Sequence, residues 1–372
     1  MAVDATYTVA LDVMGADKGP DEIIRGGVDA ARNLGDKLKV IFVGHRDKIQ
    51  AALAKIPDLP KNISFEHSET EVSMHVAATD ALKMRDSSIS VGAHLVKRKK
   101  ADAFVSPGNT GAVMATSLLT LGRIEGVSRP AITALFPTEK GRPCVMLDCG
   151  ANADCKPLHL QQFAVMGSVY SSIVFNQESP KVGLMSIGEE RSKGNELIFE
   201  THERLKESKI NFFGNIEGRD VLAGTVDVVV TDGFTGNIIL KFAESVQPLL
   251  MNAVKRQIET NIFSRMGVYL MLPFMKRMKK VFDYAEYGGA PLLGVNGIVI
   301  ICHGSSNARA IARATEIAWE MAAKKIKERI HDELITNHFG KSNGSKDSSQ
   351  DSRDRVVYSA ATGDQRGIRE DG

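Results

Sequence analysis

The sequence predicts an α/β fold, a Rossmann-like parallel-sheet sandwich with helices on both faces. Two observations carry that prediction. Short β-branched apolar runs recur along the chain, each followed by a glycine-bearing loop and then a helical stretch. The runs are apolar at consecutive rather than alternate positions, as strands covered on both faces are.

The strand runs come first. Val9–Asp12, Val40–Val43, Ala103–Val105, Val145–Leu147, Val182–Met185, Val226–Val230 and Ile298–Ile301 each fit a buried strand. Helices fill the intervals. Leu158–Val174 is apolar-rich and follows Pro157, while Asn195–Lys206 carries a solvated charged face. Ser305–Ile330 reads as one long helix with Ser305 or Ser306 at its N-cap. Residues 241–293 lack a strand signal and read as a projecting helical hairpin with an apolar tip. Residues 1–335 then form the α/β domain. Residues 336–372 form a tail, and from Lys341 onward it has too little apolar surface to order itself.

Composition narrows the function. Lys and Arg number 47 against 45 Asp and Glu, a net +2, so a general nucleic-acid binder is not expected. The four cysteines Cys144, Cys149, Cys155 and Cys302 lack zinc-site spacing and read as reduced, buried residues of a cytoplasmic protein. The N-terminal stretch lacks the basic region of a signal peptide. The histidines form no metal constellation, and neither a metal nor any other cofactor is expected.

In parallel α/β sheets, ligands bind at the carboxyl ends of the strands. The loop Ser106-Pro107-Gly108-Asn109-Thr110-Gly111 is the foremost anion-site candidate. Glycines let backbone N–H groups turn to a ligand, and the helix that follows adds free N–H donors and a positive dipole end. Ser106, Asn109 and Thr110 add side-chain donors; the alternative is a turn capped for stability alone. Thr231-Asp232-Gly233-Phe234-Thr235-Gly236-Asn237 is a second loop of this kind, with Lys241 one helical turn beyond Asn237. Asp148 and Asn152 stand at another strand end, Glu189 and Lys193 at a fourth, and His303 at a fifth. His303 serves either as a neutral base or donor beside a helix N-terminus, or as a structural histidine.

The tip of the hairpin is apolar from Ile262 to Met275, and Lys276, Arg277, Lys279 and Lys280 follow at once. Apolar side chains beside a cationic rim suit an anionic membrane surface, with Phe263, Leu270, Met271, Leu272 and Phe274 as the contacts. A buried dimer helix is the alternative. The run is too short to span a bilayer.

Together these loops resemble the PlsX-type phosphate acyltransferases of bacterial phospholipid synthesis. The matching stretches are Val9–Asp17, Val105–Ala112, Leu147–Asn152, Ile187–Asn195, Asn215–Gly218, Thr231–Asn237, Gly288–Gly294 and His303–Ser306, in order along the chain. The resemblance implies a fold similar to phosphate acetyltransferases and to isocitrate and isopropylmalate dehydrogenases. It implies that long-chain acyl–acyl-carrier protein and inorganic phosphate give acyl phosphate and free carrier protein. It also implies a homodimer that associates peripherally with the membrane. Phosphate is the nucleophile in that reaction, so a dianion site and an oxyanion site suffice. Ser106, Gly108, Asn109, Thr110 and Gly111 are then expected to bind phosphate. Asn237, Lys193 and His303 are expected to polarise the carbonyl or place the phosphate. Asp12, Asp148, Asn152, Glu189, Asp232 and Lys241 support them. Lys97-Arg98-Lys99-Lys100 and the Lys276–Lys280 rim are the two basic patches an acidic carrier protein can use. The rival activities are a coenzyme A-dependent phosphate acyltransferase and a nicotinamide-dependent hydroxy-acid dehydrogenase. The latter lacks its glycine fingerprint here.

Overall fold

A computed structural model describes residues 5–17, 19–258 and 288–339. Eleven strands form one sheet: β1 (Tyr7–Asp12), β2 (Leu38–Gly44), β3 (Ile63–His67), β4 (Ala103–Ser106), β5 (Ala131–Phe136), β6 (Cys144–Leu147), β7 (Val182–Met185), β8 (Phe212–Ile216), β9 (Val228–Val230), β10 (Ala290–Leu293) and β11 (Ile298–Ile301). The helices are α1 (Pro20–Leu34), α2 (Arg46–Leu53), α3 (Ala78–Ala81), α4 (Ser88–Lys97), α5 (Thr110–Leu121), α6 (Pro157–Phe175), α7 (Glu196–Lys206), α8 (Gly218–Ala223), α9 (Gly233–Ile258), α10 (Ala308–Ala323) and α11 (Ile326–Thr336).

Each strand run read from the sequence holds a strand, although the run Val226–Val230 becomes one only from Val228. Successive residues of each face opposite sides of the sheet, and both sides are core. Val9 and Leu11 join one apolar cluster with α1, α6 and α10, whereas Ala10 joins the other with α4 and α5. Val145 and Leu147 divide from Met146 in the same way. This two-sided burial is why the runs are continuously apolar.

The sheet is not wholly parallel, which corrects the sequence reading. Its order is β3-β2-β1-β4-β11-β10-β5-β6-β9-β7-β8. Strands β3, β2, β1, β4 and β11 run parallel, and so do β6, β9, β7 and β8. Between the halves, β10 is antiparallel to β11 and β5, and β5 is antiparallel to β6. The two parallel halves therefore run in opposite directions. The short link from β5 to β6 has no room for a crossover helix, so these strands can only pair antiparallel. Both seam strands were unpredicted: β10 lies inside the segment read as wholly helical, and β5 is interrupted in character by Thr133.

Two further boundaries shift. The helix read from Ser305 onward begins at Ala308, where Asn307 accepts from the Ala310 N–H. It breaks at Lys325, whose φ is 53°, before α11. The fold continues to Phe339, which is buried. The hairpin tip with Phe263, Leu270, Met271, Leu272 and Phe274, its basic rim and the tail from residue 340 lie outside the described residues.

Candidate active site

Opposed halves place the candidate loops in two groups. The carboxyl ends of β1, β4 and β11 carry Asp12, the loop 106–111 and His303. The carboxyl ends of β6, β9 and β7 carry Asp148, Asn152, Asp232, Asn237, Glu189 and Lys193 and face the other way along the sheet. The antiparallel seam therefore sets the two groups at opposite strand ends.

In the first group, Asp12 and Ser106 are fully buried at the ends of β1 and β4. The Ser106 hydroxyl donates to Asp12 Oδ2 at 2.7 Å, and the Gly108 N–H donates to Ser106 Oγ at 3.1 Å. Asp12 Oδ1 accepts from the Met14 N–H at 2.9 Å. Burial raises the Asp12 pKa above the ordinary carboxylate value, and the hydrogen bonds from Ser106, Met14, Ser88 and Gly15 offset part of that rise. The two loops touch backbone to backbone: a Cβ on Gly15 would lie 2.4 Å from the Gly108 Cα. Only glycine permits this approach.

Both polar atoms of the Asn109 side chain have protein partners. Its Oδ1 accepts from the Ala112 N–H at 3.0 Å, capping α5. Its Nδ2 donates to the carbonyls of Met74 and Val76 at 2.9 and 3.0 Å. The side chain thus clips the loop 73–76 to the start of α5. The first-turn N–H groups of Thr110 and Gly111 have no acceptor within the helix, so the loop offers backbone donors.

His303 is exposed at the end of β11. Its Nδ1 accepts from the Ser305 N–H at 3.1 Å and lies 2.7 Å from Ser305 Oγ. Accepting there leaves the proton of the neutral ring on Nε2. His303 does not stand directly beside a helix N-terminus as expected: α10 begins five residues later, and its Ala308 N–H donates to Glu22 Oε2 at 2.9 Å.

The second group centres on Asp148, also fully buried. Its Oδ1 accepts from the N–H groups of Ile132 and Ala151 at 2.9 and 3.1 Å. Its Oδ2 accepts from the Asn152 N–H at 2.7 Å and Asn152 Nδ2 at 2.8 Å. Asn152 Nδ2 also donates to the Pro130 carbonyl at 2.7 Å. Burial pushes Asp148 up to about 6 despite these donors. Asp232 caps α9 through the Thr235 N–H and hydroxyl, both at 2.8 Å. Asn237 faces Gly150, where a Cβ would lie 3.5 Å from its Cγ. Lys241 follows one turn later and is exposed.

Beside these, the loop 186–194 folds back on itself. Ser186 Oγ donates to the Lys193 carbonyl at 3.0 Å, and Asn215 Nδ2 donates to the Glu190 carbonyl at 3.2 Å. Glu189 pairs with Arg219 at 3.2 Å. Lys193 is exposed, and its stem lies against Gly188. The sequence reading missed Ser88, Gly15 and Asn215 as working parts of these loops. Gly15 and Asn215 stand inside stretches already singled out, but only the folded contacts show what they do.

None of the four thiols is an activated nucleophile. Burial pushes Cys144, Cys155 and Cys302 up to about 12, and Cys149 well above its ordinary value with Asp148 adding repulsion. Among the described residues no group of His, Cys, Asp and Glu could hold a metal ion.

The fold is that of the phosphotransacetylases. A phosphotransacetylase from Streptococcus pyogenes superposes with a TM-score of 0.57 at 18% identity, covering 86% of this chain and 94% of that one. The EutD phosphotransacetylase from Staphylococcus aureus gives a TM-score of 0.54 at 17% identity, covering 85% and 94%. The family described as "Fatty acid synthesis protein" matches residues 7–329. A phosphate acyltransferase of Citrifermentans bemidjiense is 47% identical over 327 residues, 88% of this chain and 92% of that protein. One of Nostoc sp. is 44% identical over 333 residues, 89% and 97%. The chain belongs to the phosphate acyltransferase family and is an acyltransferase.

Proposed function

We propose that the enzyme transfers a long-chain acyl group from acyl-carrier protein to inorganic phosphate, feeding phospholipid synthesis. One observation carries this reading: the glycine cradle at the start of α5 offers backbone donors for a dianion and holds no protein nucleophile. Ser106 is buried with its hydroxyl donated to Asp12. In this reading phosphate is the attacking group. Its oxygen forms the bond to the thioester carbonyl carbon, the tetrahedral intermediate collapses, the C–S bond breaks, and the carrier thiol leaves with a proton.

In this reading the amides of Gly108, Thr110 and Gly111 hold the phosphate, and Asp12 with Ser106 fixes the loop that presents them. His303 donates through Nε2–H to an anionic oxygen. Asn237 and Lys193 stand in the second group, at strand ends that face away from the cradle, so this reading gives the reacting carbonyl to His303; Lys241 lies on the same face of α9 as Asn237. Asp148, Asn152, Asp232 and Glu189 shape their loops. The enzyme is a homodimer that meets the membrane peripherally. No helix among the described residues is long and apolar enough to cross a membrane.

The test is direct. Palmitoyl-carrier protein is incubated with and without phosphate, and free thiol is followed with acyl phosphate trapped as hydroxamate. Phosphate-dependent release with matching hydroxamate is expected. Release only from palmitoyl-coenzyme A would assign the other donor, and release from neither would overturn the reading.

A further inference from the structure

Strands β1, β4 and β11 carry the phosphate cradle at their carboxyl ends. At their amino ends lies a cleft of about 650 Å³. That volume falls within the range of small-molecule sites, ~300–1,000 Å³. Leu121, Ile298 and Ile326, all buried, line it together with Lys97, Lys99, Lys325 and Lys327. Two carboxylates share the wall, Asp102 and Glu328. Asp102 Oδ2 accepts from the Thr8 N–H at 2.7 Å, so part of its charge is engaged by the backbone. Four lysines against two carboxylates leave the lining net cationic.

The backbone adds an independent observation. Lys99 follows the end of α4 with φ 57°, and Lys325 follows the end of α10 with φ 53°. A helix that ends in the left-handed region ordinarily does so on glycine. A side chain there costs about 1–2 kcal/mol. Two helices that end on the same cleft both place a lysine where glycine would be unstrained. Asn176 and His338 also end helices in this region, so what sets Lys99 and Lys325 apart is that both line the same cleft.

We infer that this cleft is a second ligand site, for an amphipathic phosphomonoester: a phosphate head among the lysines and an apolar group on the Leu121–Ile298–Ile326 floor. The site is separate from the cradle and does not depend on the reaction proposed above. Its ligand comes either from solution or from the headgroup of a phosphatidate-type lipid.

Dodecyl phosphate below its micellar concentration serves as the soluble probe, measured by calorimetry on the full chain. Sedimentation with phosphatidylcholine vesicles, with and without phosphatidic acid, tests the lipid source. The variant Lys99→Gly/Lys325→Gly removes both cations and both strained side chains. It is expected to melt at or above the wild-type temperature, so lost binding cannot be ascribed to unfolding. A weakening of dodecyl phosphate binding by about tenfold or more would establish the soluble source. A selective loss of phosphatidate-dependent sedimentation would establish the lipid source. Unchanged affinity for both probes in the variant, or no binding of either by the wild type, would overturn the inference.

Discussion

The Ser106 hydroxyl donates to Asp12 Oδ2 at 2.7 Å where neither residue reaches solvent. The pair lies 94 residues apart in sequence and ties the end of β1 to the end of β4. Ser106 Oγ also accepts from the Gly108 N–H, so one hydroxyl links a buried carboxyl to the glycine that faces Gly15. Ser106→Ala strands both partners. An unpaired buried polar group costs about 1–3 kcal/mol, so a stability loss of about 2–4 kcal/mol is expected. Activity assays on the folded variant should show the phosphate KM raised about tenfold with a smaller change in kcat. An unchanged phosphate KM would remove the pair from any role in presenting the cradle.

Gly15 and Gly111 form a matched contrast. A Cβ on Gly15 would meet the Gly108 Cα at 2.4 Å, whereas on Gly111 the nearest atoms are Asn109 Oδ1 at 3.4 Å and the Ala78 Cβ at 3.6 Å. Gly15→Ala must therefore push the two loops apart, and about 3 kcal/mol or more of destabilisation is expected. Gly111→Ala sits in the first turn of α5 with room for its methyl, and its melting temperature should equal or exceed the wild-type value. Equal melting of both variants would show that the close approach is relaxed at little cost.

Asn109 does two structural jobs with two atoms, and substitution separates them. Asn109→Ala loses the cap to Ala112 and the clip to Met74 and Val76. A lost cap alone costs about 0.5–2 kcal/mol. Asn109→Asp keeps the cap, loses the clip, and places a negative charge at the cradle. Thermal unfolding should rank the wild type above Asn109→Asp and the latter above Asn109→Ala. Phosphate KM should rise more in Asn109→Asp than in Asn109→Ala. A phosphate KM raised about tenfold or more in Asn109→Ala as well would restore the amide as a direct phosphate donor.

How much of this was legible in the sequence follows from range. Val9–Asp12, Val145–Leu147 and Ile298–Ile301 are buried on both faces, so their composition alone declares them strands. β3 and β8 form the two edges of the sheet, where exposure mixes polar residues into the run and hides the strand. The antiparallel seam was illegible for a different reason. Strand direction depends on the length of the connection and on pairing between residues far apart, as between Leu292 and Ile132. Glycine and Asn at strand ends marked the loops. The use of each side chain was hidden, because Asn109 looks the same in sequence whether it meets a ligand or the carbonyl of Met74.

Asp148 gives the last prediction, because its partners and its burial pull in opposite directions. Four N–H donors face its oxygens, yet burial raises its pKa from 3.8 to about 6. A value raised on folding means that the fold favours the protonated carboxyl. The stabilisation is therefore complete below about pH 3.8 and is lost as pH rises through about 6. A shift of about two units corresponds to about 3 kcal/mol across that window. Asp148→Asn has no such titration, and its amide sets an NH2 against donors that lose their acceptor, for about 2–4 kcal/mol. Urea unfolding should thus find the variant clearly less stable at about pH 4.5 and close to the wild type at pH 7. The gap to the wild type should be wider at about pH 4.5 than at pH 7. A gap that widens toward pH 7 instead would mean that the four donors outweigh burial and that Asp148 is held ionised.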